Sequence, residues 1–175
     1  LTKGGQTKIS FLEELAADST RPVVVAALLH SNVAPRTVFD DLEAIRGAGA
    51  RGRRMVGAVS CCPLTMDFTL HSPYTFEGLA AWKPAMALKG EAYRAKLAER
   101  AFRDAVRAEI ALPPTFRLFN GEWDKVHVVQ AAKAEHQRHE QRTIAELARE
   151  ADTDPLSFML DLALAEDLDT VFTAL

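Results

Sequence analysis

The chain has 175 residues, 48% hydrophobic and 26% charged, which suits a globular body with a real core and excludes a disordered polar tract. A net charge of −3 leaves no basic surplus for nucleic acid or an anionic membrane surface. The longest apolar run, residues 23–29, is far too short to span a bilayer, and the polar start Leu1-Thr2-Lys3-Gly4-Gly5-Gln6 is not expected to be a secretory leader.

Ser10-Phe11-Leu12-Glu13 has the form of a capping box, with Ser as cap and Glu three residues on. Phe11, Leu12 and Leu15 then give a short helical stripe, which Asp18-Ser19-Thr20 ends. Residues 22–29 are continuously apolar and β-branched at their start. They predict a strand buried on both faces, as in a parallel sheet, and stopped by His30-Ser31-Asn32. A helix follows. Pro35 suits its first turn, Val38, Leu42 and Ile45 share one face, and Gly47 and Gly49 are the expected terminators. Met55-Val56-Gly57-Ala58-Val59 reads as a second buried strand. The two strands are predicted to be parallel neighbours in a βαβ unit with a right-handed crossover. The turn between strand and helix lacks a glycine-rich phosphate-loop signature.

Residues 63–120 break this rhythm and are expected to form a mainly helical insertion. Leu79, Trp82 and Met86 stand at helical spacing, with Pro84 ending or kinking that helix. Residues 91–110 predict one long helix with Tyr93 and Leu97 on its apolar side. Residues 125–130 are the third strand candidate. Thr143-Ile144-Ala145-Glu146 is a second capping box, and Asp154-Pro155 opens a further helix with Leu156, Met159, Leu160, Ala163 and Leu164 on its apolar face. Residues 167–175 continue apolar to the end, so a cut within a longer chain is expected there, as it is before Leu1. The expected organisation is 1–62 as the βαβ part of a barrel, 63–120 as the insertion, and 121–175 as a strand with C-terminal helices.

Chemistry-bearing residues are few. In a (β/α) barrel, function sits at the C-terminal ends of strands. Here one strand ends at His30 and the next at Ser60-Cys61-Cys62, so these could share a pocket rim. His30 is the one candidate metal ligand, with hydrogen bonding to nearby backbone as its structural alternative. Cys61 and Cys62 are adjacent, unlike the spaced cysteines of zinc sites or disulfide frameworks, and read as buried thiols in a reducing, cytoplasmic setting. His136 and His139 are three apart but lack an acidic or sulfur partner in an obvious frame, and read as a solvated face. His127 reads as structural and His71 as a loop residue. Arg46, Arg51, Arg53 and Arg54 read as a solvated loop before the second strand. No residue is assigned a catalytic role.

Three stretches taken together resemble a known family. They are Arg21-Pro22-Val23-Val24-Val25-Ala26-Ala27-Leu28-Leu29-His30, then Val59-Ser60-Cys61-Cys62-Pro63-Leu64-Thr65-Met66-Asp67-Phe68 with Pro73, Phe76, Leu79 and Trp82 downstream, and finally Arg142-Thr143-Ile144-Ala145-Glu146-Leu147-Ala148 followed by Asp154-Pro155 and Asp161-Leu162-Ala163-Leu164. Their order resembles the middle of the N-acyl-D-amino-acid deacylase (D-aminoacylase) branch of the amidohydrolase superfamily. The resemblance implies an α/β fold, a fragment of a TIM-type barrel. It implies a zinc-assisted hydrolase of carbon–nitrogen bonds other than peptide bonds, with a small N-acyl amino acid as substrate. The metal would lower the pKa of bound water and polarise the amide carbonyl. The remainder of the barrel in the parent chain would be this piece's partner, and the piece alone is expected to be inactive. The family's early His-x-His and late Asp are not in the sequence. Its middle strand usually ends in Ser-His followed closely by Lys, whereas here Leu28-Leu29-His30 stands. From another class, a non-catalytic helical binding or regulatory domain remains open. So does a small independent α/β enzyme using His30 as a base.

Overall fold

The computed structural model describes residues 7–31, 33–60, 65–114 and 117–174. It is mixed α/β, and its chain divides into two compact units, Leu1–Leu64 and Thr65–Leu175. The boundary expected after residue 62 lies close to this division. The one expected after residue 120 falls inside the second unit.

The first unit runs α1 (Ile9–Ser19), β1 (Val23–Leu28), α2 (Thr37–Ala50), β2 (Met55–Val59). The βαβ expectation holds, since β1 and β2 pair in parallel with Val23 opposite Met55 and Leu28 opposite Val59. One face of the pair packs under the helices, where Val23, Val25, Leu28, Val38 and Ile45 are buried with Ile9, Leu12 and Ala16 of α1. The expectation of burial on both faces is corrected: Val24, Val56 and Val59 are 49%, 55% and 58% exposed. The apolar run specifies a strand that two layers can cover, but only the helical layer lies over it within this unit.

Two end signals are also corrected. Lys8, not Ser10, is the N-cap of α1, with no side-chain cap bond. Glu13 instead takes a bidentate pair from Arg51, Nε and Nη2 each 2.7 Å from a carboxylate oxygen. Helix α2 runs past Gly47 and Gly49 to Ala50, and the left-handed residue after it is Gly52 at φ 80°. Gly57 is small because α2 and β1 press on it. A Cβ there would lie 2.8 Å from Leu28 Cδ1, 3.2 Å from Leu42 Cδ2 and 3.4 Å from Ile45 Cδ1. Gly57→Val is therefore expected to destabilise this unit by ~1–3 kcal/mol through overpacking. A urea melt showing no loss would mean that α2 does not pack on β2 as described.

The second unit runs β3 (Met66–Phe68), α3 (Lys83–Met86), α4 (Gly90–Ala98), α5 (Arg100–Ile110), β4 (Val126–Gln130), α6 (Ile144–Glu150), α7 (Pro155–Ala165) and β5 (Val171–Ala174), with short 3-10 turns between. The third strand candidate is a strand, but it stands in an antiparallel sheet of order β3-β5-β4. Residues 167–175 hold the central strand of that sheet. The helical stretch before residue 120 contributes one strand to its edge. Residues 91–110 form two helices, because Glu99 is extended (φ −68°, ψ 123°) and breaks them. Trp82 ends a 3-10 turn instead of lying inside a helix.

Pro35 falls before Arg36, the N-cap of α2, and not in its first turn, whereas the helix signals at Thr143 and Asp154 hold. Thr143 Oγ1 accepts from Glu146 N and Glu146 Oε2 from Thr143 N, each at 3.1 Å, closing the capping box. Asp154 Oδ1 accepts from Ser157 N at 3.0 Å, with Pro155 in the first turn. The core is aromatic. Phe76 stacks on Trp82 with centroids 5.0 Å apart, and Phe68 stacks on Phe172 at 5.6 Å. Leu97, Val128, Ile144, Met159 and Leu160 complete it. Among the described residues no helix is long and apolar enough to cross a membrane.

Candidate functional site

Parallel pairing of β1 with β2 brings both C-terminal ends to one edge, as Leu28 stands opposite Val59. His30 lies just beyond β1 and Ser60 just beyond β2, both exposed. The rim expected from the sequence thus has two of its members on one edge. Cys61 and Cys62, expected beside them, lie outside the described residues. Among the described residues this rim offers a zinc ion only His30. No group of three or more His, Cys, Asp or Glu able to hold a metal occurs among the described residues, and a catalytic zinc normally takes three protein ligands. His30 would supply one.

The second unit holds a pocket of about 380 Å³ between the loop after β3, the start of α4 and the turn after α7. His71, which the sequence left unplaced, lines it with Nε2 3.0 Å from Asp169 Oδ1. Arg94 also lines it, with Nη1 3.2 Å from Asp167 Oδ1 and Nη2 donating to Leu164 O at 3.1 Å. Lys133 Nζ stands 3.0 Å from the other oxygen of Asp167. The Lys133 hydrogen bond and charge hold the Asp167 carboxyl below its usual range against the opposing effect of burial, with a smaller contribution from Arg94. Tyr93 adds no charge to the wall, because burial pushes its phenol up to about 12.

The histidine pair is a correction. His136 and His139 close a 3-10 segment, Ala134–His139, in which residues three apart eclipse. Their rings stack at 5.9 Å. The acidic partner missing from the local sequence is Glu166, whose Oε1 lies 3.0 Å from His136 Nδ1. Glu166 is fully buried. It accepts from Ala132 N and Lys133 N at 3.0 Å each and from Thr170 Oγ1 at 2.6 Å. Burial pushes this carboxyl up, but hydrogen bonds from Thr170, Lys133, Ala132 and His136 outweigh that and hold it below its ordinary value. The signal that would have found it is its spacing. Glu166 falls three and four residues after Ala163 and Leu162, at the end of an apolar helix face.

Burial first, then the charges of Arg138, His136 and Arg142, lower the pKa of His139. Its Nδ1 is buried with no hydrogen-bond partner. His127 sits mid-strand opposite Thr173, in the structural place expected of it. Of the arginines before β2, Arg51 is taken by Glu13. That hydrogen-bonded guanidinium lowers the Glu13 carboxyl.

No family model, curated protein or solved structure matches the chain.

Proposed function

We propose that this chain is an internal part of a metal-dependent amidohydrolase barrel of the D-aminoacylase type, whose parent protein hydrolyses the amide bond of N-acyl-D-amino acids. The observation that carries the reading is the parallel β1–α2–β2 unit with His30 and Ser60 beyond its strand ends, the edge where such barrels keep their chemistry. The exposed valines Val24, Val56 and Val59 support it further, because parallel strands are rarely left uncovered on one face. In this reading the remaining barrel strands are the partner, and zinc is the parent's cofactor. Its ligands come mostly from outside the described residues. A cytoplasmic setting goes with it, supported by a sequence whose two cysteines are adjacent.

The test uses the parent gene and the 175-residue chain side by side. The parent is expected to release acetate from N-acetyl-D-amino acids and to lose that activity to a chelator. The chain alone, with zinc added, is expected to show no turnover, since amide hydrolysis by this route needs a metal-bound water, a polarised carbonyl and a proton carrier together. A parent inactive on every N-acyl-D-amino acid would sink the reading. Turnover by the chain alone that vanishes in His30→Ala would make it a complete small enzyme instead.

A further inference from the structure

We propose that His139 is a proton-operated catch: as a neutral ring it seats the turn of residues 140–142 beside β4 and α7, and on taking a proton it leaves that seat and the turn loosens. The inference stands on this cluster alone and holds whether or not the parent is an amidohydrolase.

The seat suits an uncharged ring. His139 meets Phe158 of α7 edge-on with centroids 5.8 Å apart, and it lies over the His136 ring at 5.9 Å. Its Nδ1 is buried and has no hydrogen-bond partner. A neutral imidazole tolerates this by carrying its proton on Nε2, which leaves Nδ1 an acceptor. An imidazolium donates from both nitrogens. Protonation in place would therefore strand a buried N–H beside an apolar ring. His136 is anchored differently, with its Nδ1 3.0 Å from Glu166 Oε1.

The surrounding groups do not answer a charge on His139. Arg138 and His136 of its own segment and Arg142 of the following turn oppose it. Two carboxylates lie near, Glu166 at the end of α7 and Glu150 of α6. Both are committed, Glu166 to Ala132 N, Lys133 N, Thr170 and His136, and Glu150 to Arg142. Glu140, next in the chain, accepts from Ala131 N. Burial first, then the basic neighbours, hold His139 below the ordinary 6.5 of a histidine. The seated ring thus binds a proton less well than the released one. Seating is complete above the released value and weakens as pH falls from there through the lower seated value.

The turn is what the catch holds. His139 O accepts from Arg142 N at 3.3 Å. The turn meets β4 where Gln141 N donates to Val128 O at 2.8 Å and Val128 N donates to Arg142 O at 3.0 Å. Gln141 stands at φ 63°, a conformation that persists only while its surroundings enforce it.

The experiment follows the 175-residue chain by NMR between about pH 7.5 and about pH 5.5. The His139 ring is expected to titrate below 6.5 and to lose the ring-current shift from Phe158 as it does so. Over that range the Gln141 amide should lose ~10-fold in hydrogen-exchange protection, corrected for the intrinsic rate, while Leu160 in the core of α7 keeps its own. His139→Leu, which cannot titrate, should protect Gln141 equally at both ends of the range. His139→Lys, charged throughout, should leave it unprotected at both. A wild-type ring that titrates at or above 6.5 with its Phe158 shift intact would overturn the proposal, and this measurement needs no variant to fold. Loss of Gln141 protection that persists in His139→Leu, or that Leu160 shares equally, would overturn it too.

Discussion

Trp82→Ala should cost the second unit ~4 kcal/mol, near the top of the range for a single core truncation. Trp82 is fully buried. It stacks on Phe76 at 5.0 Å and meets Phe102 edge-on at 5.3 Å, so its removal strips contacts from both the 3-10 turns and α5. The surroundings cannot close over the gap cheaply. The backbone of the turn that carries Trp82 is pinned by Glu109 of α5, which accepts from Ala80 N at 3.0 Å and Ala81 N at 2.7 Å. The loss is a large share of a domain's ~5–15 kcal/mol, and the melting temperature should fall by roughly 15 °C or more. Urea unfolding followed by circular dichroism measures it. Tyr74→Ala, at a 56% exposed aromatic in the same stretch, should change stability by under ~0.5 kcal/mol. Equal effects of the two substitutions would show that Trp82 is not the centre of this core.

Removing the carboxylate of Glu166 comes next in size. Glu166→Ala is expected to cost ~3 kcal/mol, since it leaves the part-buried N–H groups of Ala132 and Lys133 and the fully buried hydroxyl of Thr170 without their acceptor. Glu166→Gln should cost less, because an amide keeps one acceptor oxygen. The pH dependence has a definite sign. The folded carboxyl lies below its ordinary 4.5, so the folded state binds the proton less well than the unfolded chain. Its contribution is fully present above the unfolded value and drains away as pH falls through the lower folded value. Wild type should therefore lose stability faster than Glu166→Gln between about pH 5 and pH 3. Parallel slopes for the two proteins over that range would show that Glu166 is not the ionised anchor described.

These two effects lie on opposite sides of what a linear reading can reach. Trp82 was visible as a core residue from its spacing to Leu79 and Met86, although the helix expected around it is a 3-10 turn. The same holds for the parallel β1–α2–β2 unit, the capping box at Thr143 and the cap at Asp154. All of these are written in patterns a few residues long: apolar periodicity, a hydroxyl three residues before a carboxylate, a proline in a first turn. The caps act through contacts within one helical turn, and the β1–β2 pairing, though distant in sequence, follows from the strand–helix–strand order itself.

What tertiary structure alone decided depends on partners far apart in the chain. Glu166 meets Ala132, Lys133 and His136 across some 30 positions, and no local rule joins them. Residues 91–110 carry helical periodicity throughout, yet Glu99 is extended, and the two helices it separates, α4 and α5, each pack against α7. Residues 171–174 are apolar enough for helix or strand. They become the central strand because β3 and β4, over 100 and over 40 residues earlier, supply the backbone hydrogen bonds that an isolated strand lacks.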